Sequence, residues 1–181
     1  MLRRQIILSF FAGFLSMATS ALGQAVPTAS RAGSIQAGIG VVVTSPDYGQ
    51  RDIQGLTFWG DFDFLYHYGV EGQIHYYVNT PTDISEDTYL AGPRYVLHFK
   101  KFDGYAKLMF GLGRFGTQNG SFANPQTGSY FVYAPGFGAD YHATRHINVR
   151  LTDFEVQKWP SFGANGLTPL AWSAGVSYVF H

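Results

Sequence analysis

Two acidic side chains, Asp61 and Asp63, are the first residues whose types and spacing could support chemistry. Residues i and i+2 of a β-strand point to the same side, so both carboxylates would face one environment. Paired carboxylates in one site can act as the acid and base of a hydrolase. The same placement suits ion pairing with basic residues inside a narrow barrel. We favour the ion-pairing interpretation, and we expect no catalytic residue here.

Histidine could supply metal ligands or a general base, and the sequence contains six. His142 and His146 are four residues apart, a spacing that brings side chains together on a helix but not in a hairpin. No GxSxG, Walker A, HExxH or CxxC motif is present. We therefore interpret the histidines as turn and interface residues, and we expect no metal site, no cofactor and no enzyme activity. The six are His67, His75, His98, His142, His146 and His181.

The N-terminus has the layout of an exported protein. Arg3 and Arg4 precede an apolar run at 6–18, and small residues follow at 21–25. This pattern is typical of a secretory signal peptide. The run is too short for a spanning helix, which needs about 20 apolar residues. We expect residues 1–25 to be a signal peptide cleaved near 23–25, and residues 26–181 to form one domain.

The composition is unusual for a water-soluble domain. Charged residues make up 13% of the chain, against about 25% in typical globular proteins. Aromatic residues make up 17%, and cysteine is absent. Without the two arginines of the signal peptide the formal charge is −2, which argues against a nucleic-acid partner. We expect much of the surface to contact something other than water.

Alternation of apolar and polar residues with a period of two dominates the rest of the chain. It predicts eight β-strands. The phase slips by one near Thr152 and Asp153, which indicates a bulge. Pro93 and Pro135 fall inside strands and predict bulges or local distortion there. The predicted strands are 33–44, 53–66, 69–79, 88–99, 104–115, 129–142, 146–158 and 168–180.

The connections between these strands alternate between short turns and long loops. Such an alternation is typical of an up-and-down meander, with the turns at one end and the loops at the other. Eight strands of this length can close into a barrel, which leaves no free sheet edge. The long loops are predicted at 45–52, 80–87, 116–128 and 159–168.

Two kinds of barrel fit the alternation. A soluble lipocalin-like barrel has an apolar ligand cavity inside and a polar face outside, whereas an outer-membrane barrel reverses the two faces. The polar face here carries small residues and sparse charges of both signs, which suits a narrow interior better than a surface in water. We predict a lumen charge network made of Asp61, Asp63, Glu71, Arg94, Lys107, Asp140 and Arg150.

Aromatic residues of the apolar face gather near the strand ends, as in the two interfacial girdles of membrane barrels. At the short-turn end the predicted girdle consists of Tyr66, Phe99, Tyr105, Tyr141 and Phe180. At the long-loop end the predicted girdle consists of Phe58, Tyr76, Tyr89, Phe131 and Trp159.

The last strand has an apolar face formed by Trp172, Val176, Tyr178 and Phe180. It is similar to the C-terminal assembly signal that the outer-membrane insertion machinery reads, although His181 follows the aromatic residue. With its signal, eight strands, loop asymmetry and C-terminal strand, the chain resembles the small bacterial outer-membrane β-barrel proteins of the OmpA/OmpX-like, opacity-type class.

The resemblance implies an all-β, eight-stranded antiparallel up-and-down transmembrane barrel in the outer membrane. It implies a monomer in contact with outer-membrane lipid, with a structural role in the envelope and loops that bind an extracellular ligand or surface. Two alternatives stay open from the residues alone. One is a soluble barrel that binds a small ligand, and the other is a lipid-modifying enzyme on the same barrel.

Overall fold

The computed structural model of the protein describes residues 33–47, 52–79, 84–117 and 128–180. The predicted signal peptide lies outside the described residues, and so do His181 and parts of three of the predicted loops. Among the residues that are described, no helix is long and apolar enough to cross a bilayer.

Eight antiparallel strands form a closed barrel in which each strand pairs with its neighbours along the chain. The last strand closes the barrel on the first, with Ile35 opposite Phe180 and Ser45 opposite Leu170. The strands are β1 (Ser34–Ser45), β2 (Ile53–Asp63), β3 (Tyr68–Asn79), β4 (Ile84–His98), β5 (Phe102–Thr117), β6 (Gly128–His142), β7 (Ile147–Val156) and β8 (Leu170–Phe180). The predicted fold class is confirmed.

Several strand ends differ from the prediction. Strand β2 ends at Asp63, and residues 64–67 form the turn to β3. The sequence predicts Glu86 and Asp87 in a loop, but they pair with Phe115 and Arg114 of β5. Strand β4 therefore begins at Ile84. The predicted loop 80–87 is therefore shorter than its sequence indicates. At the other end of the chain, β7 stops at Val156 and β8 starts at Leu170.

The predicted phase slip in β7 is confirmed as a register shift between Arg150 and Asp153. In the ladder between β6 and β7, Asp140 pairs with Arg150 and Ala139 pairs with Thr152, so Leu151 is the additional residue. The shift allows both Arg150 and Asp153 to point into the barrel, although they are three positions apart and simple alternation would place them on opposite faces.

The two prolines cause a gap in pairing but no bulge. The register of β4 and β5 is the same on both sides of Pro93, and the ladder lacks pairs only at Gly92 and Pro93. The ladder between β6 and β7 begins at Gly136, directly after Pro135. Each proline thus leaves one neighbouring strand without its ladder bond, as expected for a residue that has no N–H.

The barrel has its apolar face outside and its polar face inside. Exposed large side chains such as Ile39, Phe58, Val70 and Leu112 cover the outer wall, whereas charged and amide side chains are buried in the lumen. This arrangement is the reverse of a lipocalin-like barrel, so the soluble alternative is wrong. An apolar outer wall with every strand paired is what a hydrocarbon environment requires.

Candidate functional site in the barrel lumen

Glu71 on β3 is the hub of a buried ion-pair network in the lumen. Its carboxylate lies 2.7 Å from Nζ of Lys107, 3.2 Å from Nη2 of Arg150 and 3.3 Å from Nη1 of Arg94. These cations come from β5, β7 and β4, so one carboxylate connects four strands across the lumen. A buried charge is stable only when it is paired and hydrogen-bonded, so each member depends on the others.

Five further carboxylates surround the three cations. Asp153 lies 2.6 Å from Nζ of Lys107 and 3.2 Å from Nη1 of Arg150. Glu155 lies 2.8 Å from the same Nζ. Asp61 pairs with Arg94 and lies 3.1 Å from Nη2 of Arg150. Asp140 lies 3.2 Å from Nε of Arg150, and Asp63 lies 3.6 Å from Nε of Arg94. Six carboxylates therefore share three cations.

Aromatic rings complete the environment of the two guanidinium groups. Cζ of Arg150 lies 4.3 Å from the ring centroid of Trp59 and 5.0 Å from that of Tyr105. Cζ of Arg94 lies 4.5 Å from the Tyr105 centroid. A planar guanidinium stacks favourably on such rings while its edge binds carboxylates. The rings thus fill space beside the cations without adding another charge.

The structure places all seven of the predicted network residues in the lumen and brings them into one set of ion pairs. The prediction missed Asp153 and omitted Glu155 from the network. Both follow the bulge in β7, and counting in steps of two from the far side of the predicted phase slip would have placed them inward.

An apolar layer lies in the half of the lumen nearer the long loops. Its centre is Trp159, which is fully buried and packs with the residues of one cluster. The segment after β7 turns back on itself, since the N–H of Trp159 donates to the carbonyl of Leu167 at 2.9 Å and the reverse bond is 3.2 Å. The cluster consists of Leu90, Met109, Phe115, Val132, Ala134, Trp159 and Leu167.

Two of the predicted girdle residues lie inside the barrel, and this part of the prediction is wrong. Tyr105 is 4% exposed because it shares the inward phase of Lys107 on β5. Trp159 is 0% exposed because the bulge in β7 reverses the phase of everything after it. Both aromatic side chains therefore contribute to filling the lumen and not to the lipid interface.

The other predicted girdle residues have the outward phase. Tyr141 is half-buried and its ring centroid lies 5.1 Å from that of Phe102. The remaining seven are exposed at the outer wall: Tyr66, Phe99 and Phe180 near the short turns, and Phe58, Tyr76, Tyr89 and Phe131 towards the long loops.

His142 and His146 have separate partners. Nε2 of His142 lies 3.1 Å from Asp103, whose other oxygen lies 2.8 Å from Nδ1 of His98. His146 stacks instead on Tyr178 at the outer wall, with ring centroids 5.7 Å apart. Within the described segments, no group of three or more histidine, cysteine or acidic side chains is arranged to hold a metal ion.

The apolar face of β8 lies on the outer wall. Trp172, Val176, Tyr178 and Phe180 are all exposed there, and Nε1 of Trp172 donates to Oγ1 of Thr152 at 2.9 Å. Tyr178 and Phe180 contact each other edge to face, with centroids 5.0 Å apart. The face proposed as an assembly signal is therefore continuous with the lipid-facing wall.

The fold is similar to those of small outer-membrane proteins with known structures. Neisserial surface protein A is 14% identical over 82% of this chain and 97% of its own, with a TM-score of 0.63. Ail of Yersinia pestis is 17% identical over 82% of this chain and 99% of its own, with a TM-score of 0.57. OprG of Pseudomonas aeruginosa is 16% identical over 83% of this chain and 97% of its own, with a TM-score of 0.53.

These identities are low, so the similarity concerns the fold. No curated protein sequence gives a significant match. A family model, by contrast, matches residues 9–180, which is nearly the whole chain; its description is outer membrane protein beta-barrel domain. Together with the closed barrel, the apolar outer wall and the ion-paired lumen, this match shows that the chain belongs to the family of outer-membrane β-barrel domain proteins and resides in the bacterial outer membrane.

Proposed function

We propose that the protein is a non-enzymatic, monomeric outer-membrane barrel that supports the envelope and presents its long loops for adhesion or surface interaction. The observation that carries this proposal is the filled lumen. Glu71 and its three cations occupy one layer, and the cluster around Trp159 occupies another. An eight-stranded barrel is just wide enough for such side chains, so we expect no open diffusion path for solutes.

The chemistry of the loops restricts the partner. Outside the strands, the predicted loops 45–52 and 80–87 carry three carboxylates, Asp47, Asp52 and Asp83, and one arginine, because Glu86 and Asp87 belong to β4; loops 116–128 and 159–168 carry no charge. The crystal structure of Ail is described as a complex with the heparin analogue sucrose octasulfate. A polyanion of that kind does not complement the loops of this chain, because like charges repel. We propose a neutral or cationic partner surface instead.

Loop exchange tests this proposal. Cells that produce the protein are compared with cells in which loop 118–127 or loop 48–51 is replaced by a short Gly-Asn turn, and adhesion to neutral, cationic and heparin-coated surfaces is measured. We expect adhesion to the neutral or cationic surface, its loss on exchange of at least one loop, and no retention on heparin. Retention on heparin, or adhesion that no loop exchange alters, would contradict the proposal.

The location of the histidines supports the absence of enzyme activity. A lipid deacylase on this fold would need a serine, a histidine and an acid on the lipid face near the outer leaflet. Of the described histidines, His75 lies in the lumen, and His67, His98, His142 and His146 lie near the short turns. Lipid analysis of cells with and without the protein tests this, and we expect identical outer-membrane lipids.

A further inference from the structure

Three basic residues form an exposed group at the short-turn end of the barrel. Lys100 and Lys101 lie in the turn between β4 and β5, and Arg145 lies in the turn between β6 and β7. The remaining short turn, residues 64–67, contains no lysine or arginine. Among the residues of this rim that the structure describes, the lysines and arginines are therefore concentrated on one side of the barrel.

The two basic turns are neighbours. Strands β5 and β6 pair directly, and Phe102 lies opposite Tyr141 at this end of the ladder. The N–H of His142 donates to the carbonyl of Lys101 at 2.9 Å, which ties the first turn to the strand that leads into the second. The backbone thus holds the three cations on adjacent turns.

Two described carboxylates near this rim, those of Asp103 and Asp63, are already engaged. Asp103 lies between the imidazole rings of His98 and His142, at 2.8 and 3.1 Å. Asp63 lies 3.6 Å from Nε of Arg94. Lys100, Lys101 and Arg145 form no ion pair with any of the described residues. The rim therefore presents positive charge that the described part of the protein does not neutralise.

The depth of the group in the membrane follows from its aromatic neighbours. Phe99, Phe102 and Phe180 are exposed on the outer wall next to these turns. Aromatic residues of membrane barrels lie at the level of the lipid headgroups, and short turns of such barrels face the periplasm. Long basic side chains beside them extend to the same polar layer.

From this arrangement we propose that Lys100, Lys101 and Arg145 bind the phosphodiester headgroup of anionic phospholipids in the periplasmic leaflet. The ligand class follows from charge complementarity, since the cations are exposed, adjacent and placed at headgroup level. A basic residue near an anionic membrane surface strengthens association by about fivefold. The interaction holds the periplasmic rim of the barrel at the headgroups of the periplasmic leaflet. It does not depend on what the extracellular loops bind.

Lipid selectivity of the full chain tests the proposal. The protein is reconstituted in phosphatidylcholine vesicles, and the association of spin-labelled phosphatidylglycerol is compared with that of spin-labelled phosphatidylcholine. We expect the wild type to select phosphatidylglycerol. The triple variant Lys100→Gln, Lys101→Gln, Arg145→Gln loses that selectivity, by up to about fivefold for each cation removed. High salt weakens the selectivity of the wild type in the same direction.

A matched variant at the opposite end is the control. Arg114→Gln with Lys158→Gln also removes cations, but Nζ of Lys158 donates to Thr168 at 2.9 Å and both residues lie near the long loops. We expect this variant to keep the selectivity, and heat-shifted gel mobility verifies that every variant is folded. Equal selectivity in the triple variant and the wild type overturns the proposal. A wild type that shows no selectivity for phosphatidylglycerol also overturns it. If that wild type needs the three cations for retention on purified peptidoglycan, the partner is an acidic peptide.

Discussion

The indole ring of Trp159 lies against the backbone of Gly113, where a Cβ atom would overlap the ring. Trp159 follows β7 and Gly113 belongs to β5, so the contact passes over β6, which lies between these two strands. It depends on two local features, the bulge that turns Trp159 inward and the missing side chain at Gly113. The missing side chain at Gly113 therefore explains how so large a ring fits inside eight strands.

Substitution Gly113→Ala tests this contact. The added methyl group meets a rigid ring, and overpacking of this kind costs about 1–3 kcal/mol. We expect a lower free energy of unfolding in urea for protein folded in lipid vesicles. The control is Gly72→Ala, since Gly72 also lies in a strand but a Cβ there would meet nothing within 4 Å. Equal stability of the two variants would show that Trp159 does not occupy this position.

The lumen network contains more carboxylates than cations. We therefore expect the loss of a cation to lower the free energy of unfolding more than the loss of a carboxylate. Arg150→Gln removes a cation that contacts Asp61, Glu71, Asp140 and Asp153, so the six carboxylates are left with only Arg94 and Lys107. Removing one member of a buried ion pair costs about 3–5 kcal/mol. We expect this loss in the free energy of unfolding.

The matched substitution on the acidic side is Asp153→Asn. Lys107 keeps Glu71 and Glu155, and Arg150 keeps its other carboxylates, so we expect a loss of only about 1.5 kcal/mol, as for one hydrogen bond to a charged group. The same urea titration measures both variants. A larger loss for Asp153→Asn than for Arg150→Gln would refute the proposed excess of carboxylates.

Trp159→Ala should release the segment between β7 and β8. The substitution removes the central ring of the apolar cluster, which costs about 3–5 kcal/mol in a buried site. We expect faster cleavage between residues 157 and 169 by an added protease on vesicles that hold the folded protein. Phe162→Ala is the control with a smaller effect, because Phe162 is only partly buried against the cluster. Cleavage at the wild-type rate in Trp159→Ala would contradict an anchoring role.

Phe180→Ala distinguishes assembly from stability. Phe180 is exposed on the outer wall and contacts Tyr178, so its removal takes little from the folded barrel. If it is the main aromatic residue of the assembly signal, the amount inserted in cells falls while the unfolding midpoint of refolded protein changes little. Phe137→Ala is a matched control, being a similarly exposed phenylalanine away from the C-terminus. If both substitutions reduce insertion equally, the prediction that Phe180 belongs to a C-terminal assembly signal is contradicted.

Alternation in the sequence was sufficient to predict the eight strands, and the small residues and sparse charges of the polar face predicted that this face points inward. Arg94 and Lys107 illustrate why, since each lies in a strand with uninterrupted alternation and side-chain direction then follows from position alone. Asp153 and Trp159 show where this reasoning stops. Beyond a bulge the direction depends on the exact position of the additional residue, and Leu151 was identified as that residue only from the ladders.

Residue type misled the prediction in two other places. The aromatic ring of Tyr105 near a strand end predicts a girdle position, whereas its phase on β5 and its contacts with two guanidinium groups show that it lies inside. The segment 80–87 reads as a loop because it contains Pro, Asp and Ser, whereas Glu86 within it pairs with Phe115 in a strand and is buried. The ion pairs that Glu71 forms could not be predicted from the sequence, because contacts across a lumen depend on the stagger of all eight strands.

Solute flux through the purified barrel tests the central claim most directly. Vesicles that contain the wild-type protein are diluted into an isotonic sugar solution, and swelling is followed by light scattering with protein-free vesicles and a known porin as references. The ion-paired layer around Glu71 and the apolar layer around Trp159 predict swelling no faster than in protein-free vesicles. Swelling at a porin-like rate would show that the lumen is open and that the protein acts as a channel.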